Sequence, residues 1–193
     1  MQYLLTPQAK KVEPFAWWEG AFTDGELDHL QELAKNASTA AVVGGTKEYS
    51  EVSKIRRSKV SWLDSTVETE WVFKRLGDIA GQLNIEHYQF DLTGFGESLQ
   101  LTNYDHSDHG TYGWHQDYGG SVSRKLSMVL QLTDPSQYEG GNLQVMTNAY
   151  PTTVRKQRGL VAVFPAYALH QVTPVTQGNR QSLVAWVSGP AFK

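Results

Sequence analysis

Four side chains in the second half of the chain could do chemistry together: His115 and Asp117, separated by Gln116, then His170, then Arg180. On an extended segment alternate residues point the same way, so His115 and Asp117 can present an imidazole and a carboxylate side by side. A second imidazole from a distant strand completes one face of an octahedron. Two histidines and a carboxylate leave three positions open, which suits a non-haem Fe(II) that must hold a bidentate cosubstrate and O2; zinc usually makes do with fewer. An isolated His-x-Asp arises often by chance, and a lone strand histidine is more often a surface or hydrogen-bonded core residue. The combination carries the reading, because His170 follows a buried-looking strand and a proline in FPAYALH and an arginine stands on the next strand. His106 and His109, with Asp105 and Asp108 in NYDHSDHGTYG, offer a rival metal cluster and are read as loop residues near the mouth of the site.

Alternation in RQSLVAWV places Arg180, Ser182, Val184 and Trp186 on one face and Gln181, Leu183, Ala185 and Val187 on the other. An inward guanidinium needs an anion, and its planar fork matches a carboxylate in bidentate fashion, so a dicarboxylate cosubstrate would satisfy it. A salt bridge to an internal Asp or Glu is the competing reading. The same rule puts Ser127, Val129 and Gln131 of KLSMVLQLT on one face.

The elements that must position these groups change character near residue 89. Before it, Thr23 is the expected N-cap of a helix over TDGELDHLQELAKN, with Asp24 and Glu26 in its first turn and Leu27, Leu30 and Leu33 on one face. A second helix is expected over STVETEWVFKRLGDIAGQLN, with Val67, Trp71, Leu76, Ile79 and Leu83 as its apolar stripe. Between them GGTKEYSEVSKIRRSKVSWL reads as a loop running into a strand. From residue 89 on, QFDLTGFGESLQLTNY, KLSMVLQLTD, GNLQVMT, TTVRK, GLVAVFP, ALHQVTPV and RQSLVAWV read as at least seven short strands between Gly, Pro, Asp and Asn punctuation. Strands without intervening helices imply a sandwich or jelly roll, a fold that can carry metal ligands at the mouth between its sheets. The expectation is a mainly β protein: one domain over 1–193, a helix-rich support over 1–88 packed on one sheet, and a double-stranded β-helix core over 89–193.

With 193 residues and 40% hydrophobic content the chain can bury a full core. A net charge of -3 and a pI near 6.1 give no global cationic field to draw in nucleic acid or an anionic membrane. There are no cysteines, so disulfides and thiolate chemistry are excluded. The start, MQYLLTPQAKKVEPFAWW, lacks a sustained apolar core after a basic head, and no window approaches a membrane-spanning run; a soluble, cytoplasmic protein is expected.

On QLTNYDHSDHGTYGWHQD, RKLSMVLQLTDPSQYEGGNLQV, GLVAVFPAYALHQVTPVTQGNRQSLVAWV and more weakly KIRRSKVSWL, the chain resembles the 2-oxoglutarate and Fe(II) dependent dioxygenases, in their prolyl 4-hydroxylase-like branch. The resemblance implies that His115, Asp117 and His170 hold iron and that Arg180 pairs with the far carboxylate of 2-oxoglutarate, with Tyr104, Leu143 and Trp186 around the cosubstrate. It implies substrate contacts from Tyr112 and Trp114, from Arg56 and Ser58, and from Arg124. Gln131 stands where some relatives use a tyrosine to bond the cosubstrate, and Arg180 where the collagen-type enzymes carry lysine.

The implied reaction is hydroxylation of a prolyl residue in a protein or peptide, with O2 and 2-oxoglutarate consumed, succinate and CO2 released, and ascorbate as an accessory reductant. The glycine-led segment from Gly44 to about Ser58 is read either as a lid that closes over it or as a disordered surface loop. Hydroxylation of a free amino acid or other small metabolite is the alternative, and a metal-binding jelly roll without catalysis is the non-enzymatic one. Nucleobase demethylases would be expected to show a second arginine where this chain has Trp186, which agrees with the charge balance in arguing against nucleic acid.

Overall fold

The computed structural model describes residues 13–35, 39–40, 55–119 and 122–192. Most of the expected lid, from Gly44 to residue 54, lies outside them.

Helix α1 spans Asp24–Lys35. The Thr23 amide donates to Glu26 Oε2 (2.8 Å) and the Glu26 amide to Thr23 Oγ1 (3.3 Å), a reciprocal cap that satisfies amides left open at the helix start. Leu27, Leu30 and Ala34 are buried, and Leu33 sits at the edge of that stripe. Helix α2 spans Glu70–Leu83, starting later than the periodicity suggests. The Thr66 amide donates to Thr69 Oγ1 and the Thr69 hydroxyl to the Asp64 carbonyl, so side chains hold a turn where a first helical turn was expected. Val67 is consequently 85% exposed, and Val72 takes its place in the buried stripe with Leu76, Ile79, Ala80 and Leu83.

The strands are β1 (Ala16–Trp18), β2 (Thr39–Ala40), β3 (Arg56–Arg57), β4 (Lys59–Leu63), β5 (Gly94–Phe95), β6 (Leu99–Asp105) and β7 (Thr111–His115). They continue with β8 (Arg124–Gln131), β9 (Tyr138–Gly140), β10 (Leu143–Thr147), β11 (Tyr150–Thr153), β12 (Val161–Pro165), β13 (His170–Val172) and β14 (Val175–Ser188). The larger sheet runs β1-β12-β8-β14-β6-β4-β2, with β5 and β9 also paired to β14; the smaller runs β11-β10-β13-β7-β3. All pairings are antiparallel among the described residues. The chain is a mainly β jelly roll with helices against one sheet. The run expected over residues 152–156 is a strand only to Thr153, beyond which the Val154 amide turns back to the Leu143 carbonyl. The segment around Ser58 crosses between sheets, since Arg56 and Arg57 pair with β7 while Lys59 to Leu63 pair with β6.

Period-two alternation sorts the core into two clusters. Leu99 and Leu101 of β6, Leu126, Met128 and Leu130 of β8, and Leu183, Ala185 and Val187 of β14 pack with α1 and α2. Their neighbours in register, including Tyr104, Val129 and Val184, face the other way, toward Leu143 and Val145 of the small sheet. The helices thus close one face of the large sheet, and the second face is left to build a cavity against the small one.

Candidate active site

That cavity, about 420 Å³, is lined from the large sheet by Gln100, Tyr104, Arg124, Arg180 and Trp186 and from the small sheet by Arg56, Tyr112, His115, Leu143 and His170. Registration accounts for the convergence. His115 at the end of β7 is paired with His170 at the start of β13, which brings the two imidazoles to a centroid separation of 4.1 Å. Asp117 lies just past the strand, where its amide donates to the Ala166 carbonyl (2.9 Å), so the loop before β13 holds it in place. One ligating atom from each of His115, Asp117 and His170 lies within 4.8 Å of the others, and no other such group of three occurs among the described residues. His106 and Asp108 instead form an exposed single turn, with His106 Nδ1 against the Gly178 carbonyl.

The donor set fits a divalent cation. Each histidine has Nδ1 against a backbone carbonyl two residues earlier, His115 on Gly113 (2.8 Å) and His170 on Ala168 (2.9 Å). A carbonyl only accepts, so Nδ1 carries the proton and the Nε2 lone pair is left for a metal. His115 Nε2 and Asp117 Oδ1 are 3.7 Å apart, and His170 Nε2 and Asp117 Oδ2 are 3.4 Å apart, both longer than good hydrogen bonds. Burial, reinforced by the neighbouring His170, pushes the His115 imidazole down to about 4, which keeps it in the neutral, ligating form. Burial alone would raise the Asp117 carboxyl, but His170, His115 and the Ser127 hydroxyl (2.6 Å) together hold it below the usual carboxylate value.

Arg180 is 2% exposed, and no carboxylate among the described residues lies within ion-pair range of it. Its Nη1 reaches Ser182 Oγ at 3.3 Å, its Cζ sits 5.4 Å from the Tyr104 ring centre, and its Nη2 has no partner. The uncompensated charge reaches its neighbours: burial pushes the Tyr138 phenol up while Arg180 pulls it back, and burial together with Arg180 depresses Lys156. Gly141, at φ +58°, passes so close that a Cβ there would come within 2.9 Å of Arg180 Cδ. A buried guanidinium with a free donor facing a cavity is an anion receptor, and a ligand carboxylate answers it. Among the described residues the competing internal salt bridge does not form.

Tyr104, Leu143 and Trp186 all line the cavity. Gln131 does not: its amide donates to the Arg155 carbonyl (2.8 Å). Tyr112 and Trp114, expected together, are separated by a bulge. Val172 pairs with Tyr112 but His170 with His115, so β7 contains one residue more than β13 over that stretch. The extra residue brings Tyr112 onto the face of His115, stacked at 3.4 Å and 12°, and Trp114 falls outside the cavity lining, 37% exposed. Arg124 lines the cavity but is engaged with Glu97 through two bonds (2.7 and 2.6 Å) and stacked on Trp186 at 3.8 Å. Arg56 lines it too, while Ser58 serves as a hydrogen-bond partner of Arg56 (2.9 Å) and stands outside the lining. Sequence reasoning assigned no role to Ser127 or Gln100; Ser127 could have been found by its alternation with Val129, and Gln100 by its alternation with Tyr104.

Residues 99–188 match the sequence profile of the 2OG-Fe(II) oxygenase superfamily. A PKHD-type hydroxylase from Synechococcus sp. (strain CC9605) is 39% identical over 80 residues, 40% of this chain and 36% of that relative, so the match spans little more than a third of the curated protein. A Pseudomonas putida prolyl-4-hydroxylase structure superposes with a TM-score of 0.73 at 18% identity, over 91% of this chain and 92% of that one. A Trichoplax adhaerens prolyl hydroxylase, solved with a hypoxia inducible factor peptide fragment, gives 0.75 at 13% identity, over 91% and 84%. No helix among the described residues is long and apolar enough to cross a membrane. The profile spans every strand from β6 to β14, just under half of the chain, and the fold is shared along nearly the whole of it; the chain is similar to the 2OG-Fe(II) oxygenase superfamily and has the fold of the solved prolyl hydroxylases.

Proposed function

We propose that the protein hydroxylates a prolyl residue in a protein or peptide, using Fe(II), 2-oxoglutarate and O2, with ascorbate as accessory reductant. The observation that carries the reading is the free Nη2 of buried Arg180 opening into the same cavity as the His115, Asp117 and His170 cluster. Iron with its cosubstrates supplies the oxidising chemistry, in which 2-oxoglutarate loses CO2 to give succinate and one oxygen atom enters a C–H bond.

In this reading His115, Asp117 and His170 hold the metal through Nε2 and carboxylate oxygens, with their orientation fixed by Gly113, Ala168 and Ser127. Arg180 takes the far carboxylate of 2-oxoglutarate, and Tyr104, Leu143 and Trp186 exclude water around its chain. Tyr112 stays a neutral phenol, since burial raises it to about 12, and packs the flank of His115. Arg124, neutralised by Glu97, braces Trp186 from the outside. The structural relatives with prolyl hydroxylase activity in their names support the choice of a prolyl substrate.

The test is incubation with Fe(II), 2-oxoglutarate and ascorbate, scoring succinate release and a gain of one oxygen on proline-containing peptides and free amino acids by mass spectrometry. Oxygen gain on peptides is expected. Succinate release with oxygen gain only on free amino acids would move the substrate to the alternative class, and no succinate release at all would remove the enzymatic reading.

A further inference from the structure

Among the described residues a second guanidinium of the cavity also lacks a counterion. Arg56, 8% exposed, also lines the cavity and pairs with no carboxylate among the described residues. Its bonds go to neutral acceptors, Nε to Ser58 Oγ (2.9 Å) and Nη2 to Gln100 Oε1 (2.8 Å), and its Cζ lies 4.5 Å from the centre of the Tyr112 ring. Tyr112 is no counterion, since burial holds its phenol protonated at any working pH. Glu97 faces Arg124, and Asp117 faces the two histidines.

Charges in the loaded site leave a surplus at this position. A divalent cation against Asp117 and Arg180 against one end of a dianionic cosubstrate account for each other, and Arg124 is cancelled by Glu97. Only Arg56 remains. A desolvated cation held by neutral acceptors and aimed into a cavity is a receptor for an anion, and a carboxylate matches its fork.

We propose that Arg56 is an anion subsite for the molecule being oxidised, and that this molecule carries a carboxylate within one small-molecule length of the C–H bond that reacts. The inference rests on the oxygenase reading above and specifies its substrate. Two stacking steps, 4.5 Å from Arg56 to the Tyr112 ring and 3.4 Å from that ring to His115, set the span between anchor and metal site. A carboxylate could come from an acidic side chain beside the target proline or from the main-chain terminus of a free amino acid. Both present the same group to Arg56.

The experiment uses matched pairs that differ only in that charge: proline peptides with Glu or Gln next to the proline, and L-proline with L-prolinamide. Succinate release above the uncoupled rate and oxygen gain are measured for the wild type, Arg56→Gln and Arg56→Lys, with folding verified by melting transitions. The carboxylate member of at least one pair is expected to be preferred by at least about 30-fold in kcat/KM, as for a desolvated charge pair losing one partner. Arg56→Gln should bring that ratio near one, and Arg56→Lys should retain part of it. Which pair shows the effect identifies the source of the carboxylate. Equal use of both members, a preference that survives Arg56→Gln, or no stimulation by any carboxylate member while uncoupled succinate release persists would overturn the proposal and leave the oxygenase reading standing. Absence of uncoupled release as well would overturn that reading itself.

Discussion

Replacing Arg180 by methionine should make the ligand-free protein more stable while destroying its affinity for 2-oxoglutarate. The guanidinium is 2% exposed, has one long bond to Ser182 at 3.3 Å, and leaves Nη2 without a partner. A buried unsatisfied donor costs roughly 1–3 kcal/mol, and exchanging buried ionic groups for apolar ones of similar volume is stabilising by about 1–4 kcal/mol. Methionine keeps much of the length of the stem beside Tyr104 and Gly141 and removes the charge. A gain of about 2 kcal/mol corresponds to a rise in Tm of roughly 4–8 °C for a chain of this size. The same substitution deletes a desolvated bidentate pair with the ligand, worth about 3 kcal/mol or more, so affinity should fall at least about 100-fold. Differential scanning calorimetry of the metal-free, ligand-free protein reads the first effect and titration with 2-oxoglutarate the second. A lower Tm in the variant would mean that Arg180 is already satisfied in the fold, and unchanged affinity would mean that it does not meet the ligand.

Ser127→Ala removes the hydroxyl that donates to Asp117 at 2.6 Å and should weaken Fe(II) binding by about 10–100-fold with little change in Tm, checked by metal titration. Trp114→Ala should leave kcat/KM within about twofold of wild type, whereas Tyr112→Ala, which strips the ring stacked on His115, should lower it at least about tenfold; steady-state assays decide. Leu76→Ala, at a position 1% exposed between α2 and the large sheet, should cost about 2–5 kcal/mol in urea unfolding. Glu26 is held down to about 2 by its bond from Arg75 and by the Thr23 amide, against an ordinary 4.5. The folded state therefore binds fewer protons than the unfolded one in that window, and the contribution is complete above about pH 4.5 and lost as pH falls toward 2. Discounted for a pair at the protein surface it amounts to about 1 kcal/mol, so Glu26→Gln should flatten the pH dependence of stability between pH 5 and 2 by about that amount.

Where one physical rule sufficed, the sequence was legible. Alternation alone sorted β14 correctly, Arg180, Ser182, Val184 and Trp186 toward the cavity and Leu183, Ala185 and Val187 toward the helices. Apolar spacing found both helices, but it placed the start of α2 too early because hydroxyl-to-backbone bonds at Thr66 and Thr69 compete with helix formation and leave no apolar trace. Tyr112 and Trp114 show the same limit in a strand: a bulge changes the phase of alternation, and only the pairing with β13 reveals it. Gln131 sat on the expected face but spends its amide on a backbone carbonyl brought close by the tertiary fold. The lack of a counterion for Arg56 and Arg180 among the described residues was beyond reach of sequence, since it depends on which carboxylates the fold brings near.

In the proposed function one cavity grips a diacid at both ends, by metal held on His115, Asp117 and His170 and by Arg180. Anaerobic calorimetric titration of 2-oxoglutarate into the protein with and without Fe(II), and into His170→Ala with Fe(II), tests it most directly. Fe(II) should tighten 2-oxoglutarate binding in the wild type by at least about 100-fold, with the reciprocal effect on metal affinity, and His170→Ala should lose this coupling. Identical 2-oxoglutarate affinity with and without Fe(II), or full coupling retained in His170→Ala, would contradict it.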